Sequence, residues 1–196
     1  LAKKIKSLTL FVSRDAMNID GLSEATIEKF LSKGMLHELA DLYHLSDYRE
    51  TIIEMDGFGE RSYEKLITAL ENSRQTTLAK FIYSLGISNI GLSNAKMICN
   101  ALGNDLEHIR HATVEELTAI DGVGDVIARS FADYFASPEH NKTVDDLLQE
   151  ITLETVQNDS QAQDLSGLVF VITGSLEHFE NRSALKETIE NAGGKV

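Results

Sequence analysis

One cysteine and one proline occur among the 196 residues, and no apolar run exceeds the stretch from Leu168 to Ile172. A lone Cys99 allows neither an intramolecular disulfide nor a cysteine-based zinc site, and it suits a reducing cytoplasm. The longest apolar run falls far short of the ~20 residues that span a bilayer, so no membrane partner is expected. No basic start followed by an apolar stretch and a small-residue cleavage site is present, and no secretion signal is read. Scarcity of proline suits a compact helical array with short connections. Positive charge is also scarce: 18 Lys and Arg stand against 31 Asp and Glu, a net charge of −13. Bulk electrostatics therefore disfavour non-specific polyanion binding. Any nucleic-acid reading must rest on local geometry. With 42% hydrophobic and 25% charged residues, the composition is that of an ordinary globular protein. It excludes a disordered, collagen-like or disulfide-knit chain.

Four short segments repeat. They are Ile19-Asp20-Gly21-Leu22-Ser23, Met55-Asp56-Gly57-Phe58-Gly59, Ser88-Asn89-Ile90-Gly91 and Ile120-Asp121-Gly122-Val123-Gly124. On a common frame their last positions, Ser23, Gly59, Gly91 and Gly124, are 36, 32 and 33 residues apart. The second and fourth carry the full apolar-Asp-Gly-apolar-Gly pattern; the first ends in Ser23, and the third has Asn89 where the first glycine belongs. Helical periodicity flanks each one. After Gly59 the apolar stripe is Tyr63, Leu66, Ile67 and Leu70; after Gly91 it is Leu92, Ala95, Ile98, Cys99 and Leu102; after Gly124 it is Ile127, Ala128, Phe131, Tyr134 and Phe135. Leu78, Phe81, Ile82 and Leu85 form a similar stripe upstream of the third. Thr113-Val114-Glu115-Glu116 reads as a capping box, and Ser137-Pro138 opens a last helix to about Glu150. Each unit is thus helix, tight glycine hairpin, helix.

One Gly-x-Gly between helices is an ordinary helix-ending turn. Four in phase carry more. Glycine lets a backbone approach a ligand closely, and the first N–H groups of the next helix then point outward. With the helix dipole they make an anion site suited to phosphate, which needs no net positive charge and reads no base edges. The candidate DNA-backbone contacts are Gly21, Gly57, Gly59, Gly91, Gly122 and Gly124, with Arg61, Lys96 and Arg129 close enough to reach a phosphate. Each of these cations also reads as a solvated helix-face charge. The departures at Ser23 and Asn89 make the first and third hairpins candidates for a pairing role instead. Asp20, Asp56, Asp121 and Asp125 follow the repeat into separate hairpins, so no catalytic carboxylate cluster or metal site is expected. The six histidines show no ligand spacing with Cys99, which sits on an apolar face and reads as core.

Composition then changes. Residues 154–164 are polar and read as a linker. Leu168 to Ile172, between Gly167 and Gly174, reads as a buried strand of the parallel type. A helix follows from Arg182 with Leu185, Ile189 and Ala192 on one face, and Gly193-Gly194-Lys195-Val196 would open a second strand. One β-α unit cannot close a sheet, so this segment reads as a domain cut short.

The stretch Phe11-Val12-Ser13-Arg14-Asp15-Ala16-Met17-Asn18-Ile19-Asp20-Gly21-Leu22 resembles the segment that follows the zinc finger in bacterial NAD-dependent DNA ligases. Leu85-Gly86-Ile87-Ser88-Asn89-Ile90-Gly91 resembles the third hairpin of that family, and residues 167–174 with Arg182 and Gly193-Gly194 resemble the opening of its C-terminal BRCT domain. The resemblance runs over essentially the whole chain in the family's order. It implies a mainly α fold of four tandem helix-hairpin-helix motifs packed as two pairs over residues 1–152, a linker at 153–164, and a truncated α/β BRCT domain over 165–196. It implies a monomeric DNA-gripping region of a cytoplasmic enzyme that seals nicked double-stranded DNA in replication and repair. The intact enzyme would use NAD and Mg2+, with Zn2+ in a finger upstream of Leu1, and the rest of the ligase chain would be this segment's partner. The adenylated lysine of the family lies in a Lys-x-Asp-Gly motif. Asp56-Gly57 and Asp121-Gly122 are preceded there by Glu54 and Ala119, so this segment is expected to be inactive alone, with no catalytic residue. Two other readings stay open: the helix-hairpin-helix domain of another repair or recombination protein, and a BRCT-based interaction scaffold holding phosphopeptides at Thr173-Gly174.

Overall fold

The computed structural model describes residues 1–154, 165, 167–175 and 178–196, in two units, Leu1–Thr155 and Val156–Val196. Ten α-helices form the first unit among the described residues. They are α1 (Ala2–Val12), α2 (Glu24–Ser32), α3 (Arg49–Ile53), α4 (Glu60–Ser73), α5 (Leu78–Ser84), α6 (Leu92–Ala101), α7 (Leu106–Arg110), α8 (Val114–Thr118), α9 (Asp125–Ala136) and α10 (Pro138–Leu148). A 3-10 segment, Leu39–Tyr48, precedes α3. The helix pairs α1–α2, α3–α4, α5–α6 and α8–α9 each pack together across one of the four repeated turns.

The predicted apolar stripes are the buried faces. Leu78, Phe81, Ile82 and Leu85 are all buried, as are Tyr63, Leu66 and Leu70 on α4 and Ala128, Phe131 and Phe135 on α9. Phe11, Phe30, Phe81 and Phe131 are completely enclosed, each burial contributing roughly 1.5–3 kcal/mol. Cys99 lies in this core, where burial pushes its thiol up to about 12. Local chemistry sets several helix starts. Thr77 Oγ1 accepts from Lys80 N, Asp105 Oδ1 from Glu107 N, and Thr113 Oγ1 from Glu116 N at 3.1 Å. The expected capping box at Thr113 is half made, because the Glu116 carboxylate contacts His108 instead. Ser137 caps α10 with Pro138 at its first position, and α10 ends at Leu148, a little short of the expected Glu150.

A two-residue parallel ladder, β1 (Gln75–Thr76) with β2 (Thr152–Leu153), ties the end of the first unit to its middle. Arg74 beside it donates to Glu150 and Glu71 and lies 5.0 Å over the Tyr43 ring. Nothing local in the sequence announces these contacts.

In the second unit α11 (Arg182–Asn191) is capped by Asn181, whose Oδ1 accepts from Ala184 N at 2.9 Å. Val169 and Lys195 form a parallel bridge, with Phe170 N donating to Lys195 O at 2.7 Å. The expected buried strand at Leu168–Ile172 is not found. Only this bridge forms, and Val169 and Val171 are 74% and 83% exposed. A strand buried on both faces needs neighbours on both faces, and the described residues supply one short partner and one helix. Of the expected linker, residues 155–164 lie outside the described residues.

Candidate nucleic-acid interface

The repeated turns share one backbone shape. In three of them the chain closes a four-residue turn: Phe58 N donates to Met55 O at 2.9 Å, Ile90 N to Ile87 O at 3.1 Å and Val123 N to Ile120 O at 3.1 Å. The third turn residue has positive φ in each, +84° at Gly57, +64° at Asn89 and +88° at Gly122, and its counterpart Gly21 has +95°. That is the position where a type II turn takes glycine or asparagine. Asn89 is therefore no departure in backbone terms. Its side chain also donates to Ser130 Oγ on α9 at 3.0 Å, bracing the third turn against the fourth motif.

One residue later each chain enters its helix through an extended N-cap: Ser23, Gly59, Gly91 and Gly124, with ψ of 163°, −175°, 177° and 175°. Here the first hairpin differs. Ser23 Oγ accepts from Thr26 N and satisfies one of the N–H groups at the start of α2. The N-caps of α4, α6 and α9 are glycines and bring no side chain to the opening N–H groups of their helices.

The N-cap glycines are not demanded by the fold. Gly59, Gly91 and Gly124 have φ of −164°, −86° and −85°, which other residues adopt, and a Cβ at any of them would meet no atom within 4 Å. Gly57 faces open space too. Gly21 and Gly122 instead sit over neighbouring motifs. A Cβ would approach Leu66 Cβ of α4 at 3.9 Å from Gly21, and Met97 Sδ of α6 at 2.9 Å from Gly122.

Arg61 and Arg129 are exposed and Lys96 is half-buried, and among the described residues none of the three has an ion pair or hydrogen bond. They are available to an anion. Arg49, which the sequence reading passed over, joins the second hairpin: it donates to Glu60 Oε1 at 3.1 Å and lies 5.6 Å over the Tyr63 ring. Glu60 is the first residue of α4, so its charge would otherwise face any anion at Gly59. Eleven residues of separation across a turn hide this pair from local pattern reading.

Two sequence-family models match the chain. One, described as a SAM-like helix-hairpin-helix tandem, covers residues 13–72, the first two hairpins; the other, described as a helix-hairpin-helix motif, covers residues 80–144, the last two. Over all 196 residues the chain is 56% identical to a DNA ligase of Lachnoclostridium phytofermentans and 50% identical to one of Ruminiclostridium cellulolyticum. It belongs to the bacterial DNA ligase family. A DNA ligase of Acinetobacter baumannii is 36% identical over 195 residues. The chain spans 30% of the length of the first two ligases and 28% of the third. The gap between the two helix-hairpin-helix matches holds β1 and Arg74, the elements that fasten the two halves of the first unit. Among the described residues no helix is long and apolar enough to cross a membrane.

Proposed function

We propose that this chain is the DNA-backbone-gripping region of an NAD-dependent ligase that seals nicks in duplex DNA during replication and repair. Its four hairpins act as two pairs, the first with the second and the third with the fourth. Residues 165–196 are the opening of a BRCT domain, a reading supported by the parallel bridge of Val169 with Lys195 across α11. The observation that carries the proposal is the trio Gly59, Gly91 and Gly124. The fold leaves each free to be another residue, and a side chain at each would fill space beside the opening N–H groups of its helix. Close approach of a phosphate explains glycine there. Each N–H bond to the charged oxygen contributes roughly 1.5–3 kcal/mol and the helix dipole roughly 0.3–1 kcal/mol more. Phosphates carry no sequence, so the grip is sequence-independent.

The cofactors of such an enzyme do not fit this chain's residues. Neither Asp56-Gly57 nor Asp121-Gly122 completes a Lys-x-Asp-Gly motif, because Glu54 and Ala119 precede them where that motif has lysine. Cys99 is buried with its thiol pushed up to about 12, unsuited to a zinc ligand, and among the described residues no group of three His, Cys, Asp or Glu could hold a metal ion. NAD, Mg2+ and Zn2+ are therefore assigned to the rest of a cytoplasmic, monomeric ligase. This chain positions the nicked duplex and takes no part in adenylyl transfer. Fluorescence anisotropy on nicked duplexes of two unrelated sequences tests the reading. Gly59→Leu and Gly124→Leu, with unchanged circular dichroism, are expected to weaken binding at least tenfold on both sequences. Parent-like binding, or a loss on one sequence only, overturns it.

A further inference from the structure

The segment that carried the family resemblance, residues 11–22, leads out of α1, and the function above uses only its glycine turn. On its outer side lies a groove of about 500 Å3, lined by Lys6, Thr9, Leu10, Ser13 and Arg14, by Asp15 and Glu24 at the first hairpin, and by Tyr83 of α5. Residues 6, 10 and 13 follow helical spacing, so one face of α1 forms a wall, and Lys3 extends that face by one turn. A second groove adjoins it, sharing Thr9, Ser13 and Glu24 and reaching Gly21 and Ser23 of the first turn. Leu10 also packs where the third motif begins: a Cβ at Gly86 would lie 3.1 Å from Leu10 Cδ2. The groove therefore runs between the first hairpin and the approach to the third.

The segment that forms its α1 wall differs in charge from the rest of the chain. Residues 1–14 hold Lys3, Lys4, Lys6 and Arg14 and no carboxylate, in a protein of net charge −13. Among the described residues none of these four cations makes an ion pair or a hydrogen bond, whereas Arg49, Arg74, Arg110, Lys142, Arg182 and Lys186 all do. The lining itself sets Lys6 and Arg14 against Asp15 and Glu24, Asp20 adds a carboxylate in the adjoining groove, and Lys3 lies beyond the lining on the same face of α1. Beneath them Thr9 Oγ1 is buried with no hydrogen-bond partner. The first hairpin is also the one whose N-cap Ser23 satisfies its own helix.

We infer that this groove is a side-chain phosphate site, in which Lys6 and Arg14, with Lys3 alongside, hold the backbone of a DNA strand at the first hairpin. It rests on the reading of the chain as a DNA-gripping region. It replaces at the self-capped first hairpin the contact that backbone N–H groups make at the other three. The occupant is a phosphodiester strand rather than an acidic peptide, because the groove is continuous with the hairpin turns.

The test compares Lys6→Gln/Arg14→Gln with Lys29→Gln/Lys33→Gln, which removes the same charge from the far end of α2. Anisotropy is read on a nicked duplex over a series of salt concentrations, with polyglutamate as a second probe. The groove variant is expected to lower the slope of log K against log salt by about 1.8, two phosphates' worth, while the control keeps the parent slope. Equal effects of the two variants overturn the proposal, since net charge alone would then explain them. So does a parent-like slope in the groove variant, or a loss of polyglutamate binding without loss of duplex binding. Gly59→Leu and Gly124→Leu in the same series separate the two readings, because they report on the backbone grip with the groove intact.

Discussion

Arg74 Nη1 donates to Glu150 Oε2 at 2.8 Å, a contact between residues 76 apart that closes the first unit on itself. The same guanidinium donates to Glu150 O, to Tyr43 O and to Glu71, and stacks over Tyr43. His44 Nε2 meets the other Glu150 oxygen at 2.7 Å. Burial pushes the Glu150 carboxyl up, but the hydrogen bonds from Arg74 and His44 outweigh it and hold it below the usual range.

Removing Arg74 leaves the partly buried Glu150 carboxylate with His44 as its remaining partner. Arg74→Met is expected to destabilise the first unit by roughly 2 kcal/mol, read by urea denaturation. The depressed Glu150 carboxyl stabilises the fold above its unfolded value near 4.5, and this contribution is lost as pH falls through the folded value. Glu150→Gln is thus expected to flatten the stability curve below about pH 4.5 relative to the parent.

Glycines in one turn have different jobs, and substitution separates them. Gly122→Ala puts a side chain at a φ of +88° against Met97, and is expected to cost roughly 1–2 kcal/mol. Gly91→Ser meets no atom and supplies α6 with a capping hydroxyl. It is expected to raise stability by a few tenths of a kcal/mol while weakening DNA binding, because the hydroxyl occupies an N–H that the phosphate would use. Thermal melts beside anisotropy check the opposite signs.

The Arg49–Glu60 pair is exposed and adds little to stability. Its expected effect is on binding. Arg49→Ala unmasks the Glu60 charge at the start of α4 and should weaken duplex binding several-fold, whereas the same change in a Glu60→Gln background should have little effect. Equal losses in both backgrounds would mean that Arg49 contacts phosphate directly.

The turns were legible because their chemistry is local. Positive φ at the third turn position selects glycine or asparagine, and helical spacing exposes the buried faces from Tyr63 to Leu70 and from Leu78 to Leu85. Asn89 takes the same positive φ as the glycines of the other turns, a backbone equivalence that residue identity alone hides, and its bond to Ser130 fits the pairing role expected of the third hairpin. Ser23 departs from the glycine pattern in structure as in sequence, since its hydroxyl accepts from Thr26 N. The β1–β2 ladder, Arg74 and Arg49 were invisible, since each depends on partners brought close by the fold. The strand expected at Leu168–Ile172 failed for a related reason: apolar sequence predicts burial, but burial needs neighbours, and Val171 is 83% exposed.

In the proposed function, backbone N–H groups at three glycine-capped helix starts hold phosphates. Amide NMR of the isotope-labelled chain, titrated with a nicked duplex at low salt, observes those groups directly. The largest amide shifts are expected at Glu60 and Arg61, at Leu92 and Ser93 and at Asp125 and Val126, the same for two unrelated duplex sequences, with smaller shifts at Ala25 and Thr26. Largest shifts elsewhere on the helix faces, with these six amides unmoved, would contradict it.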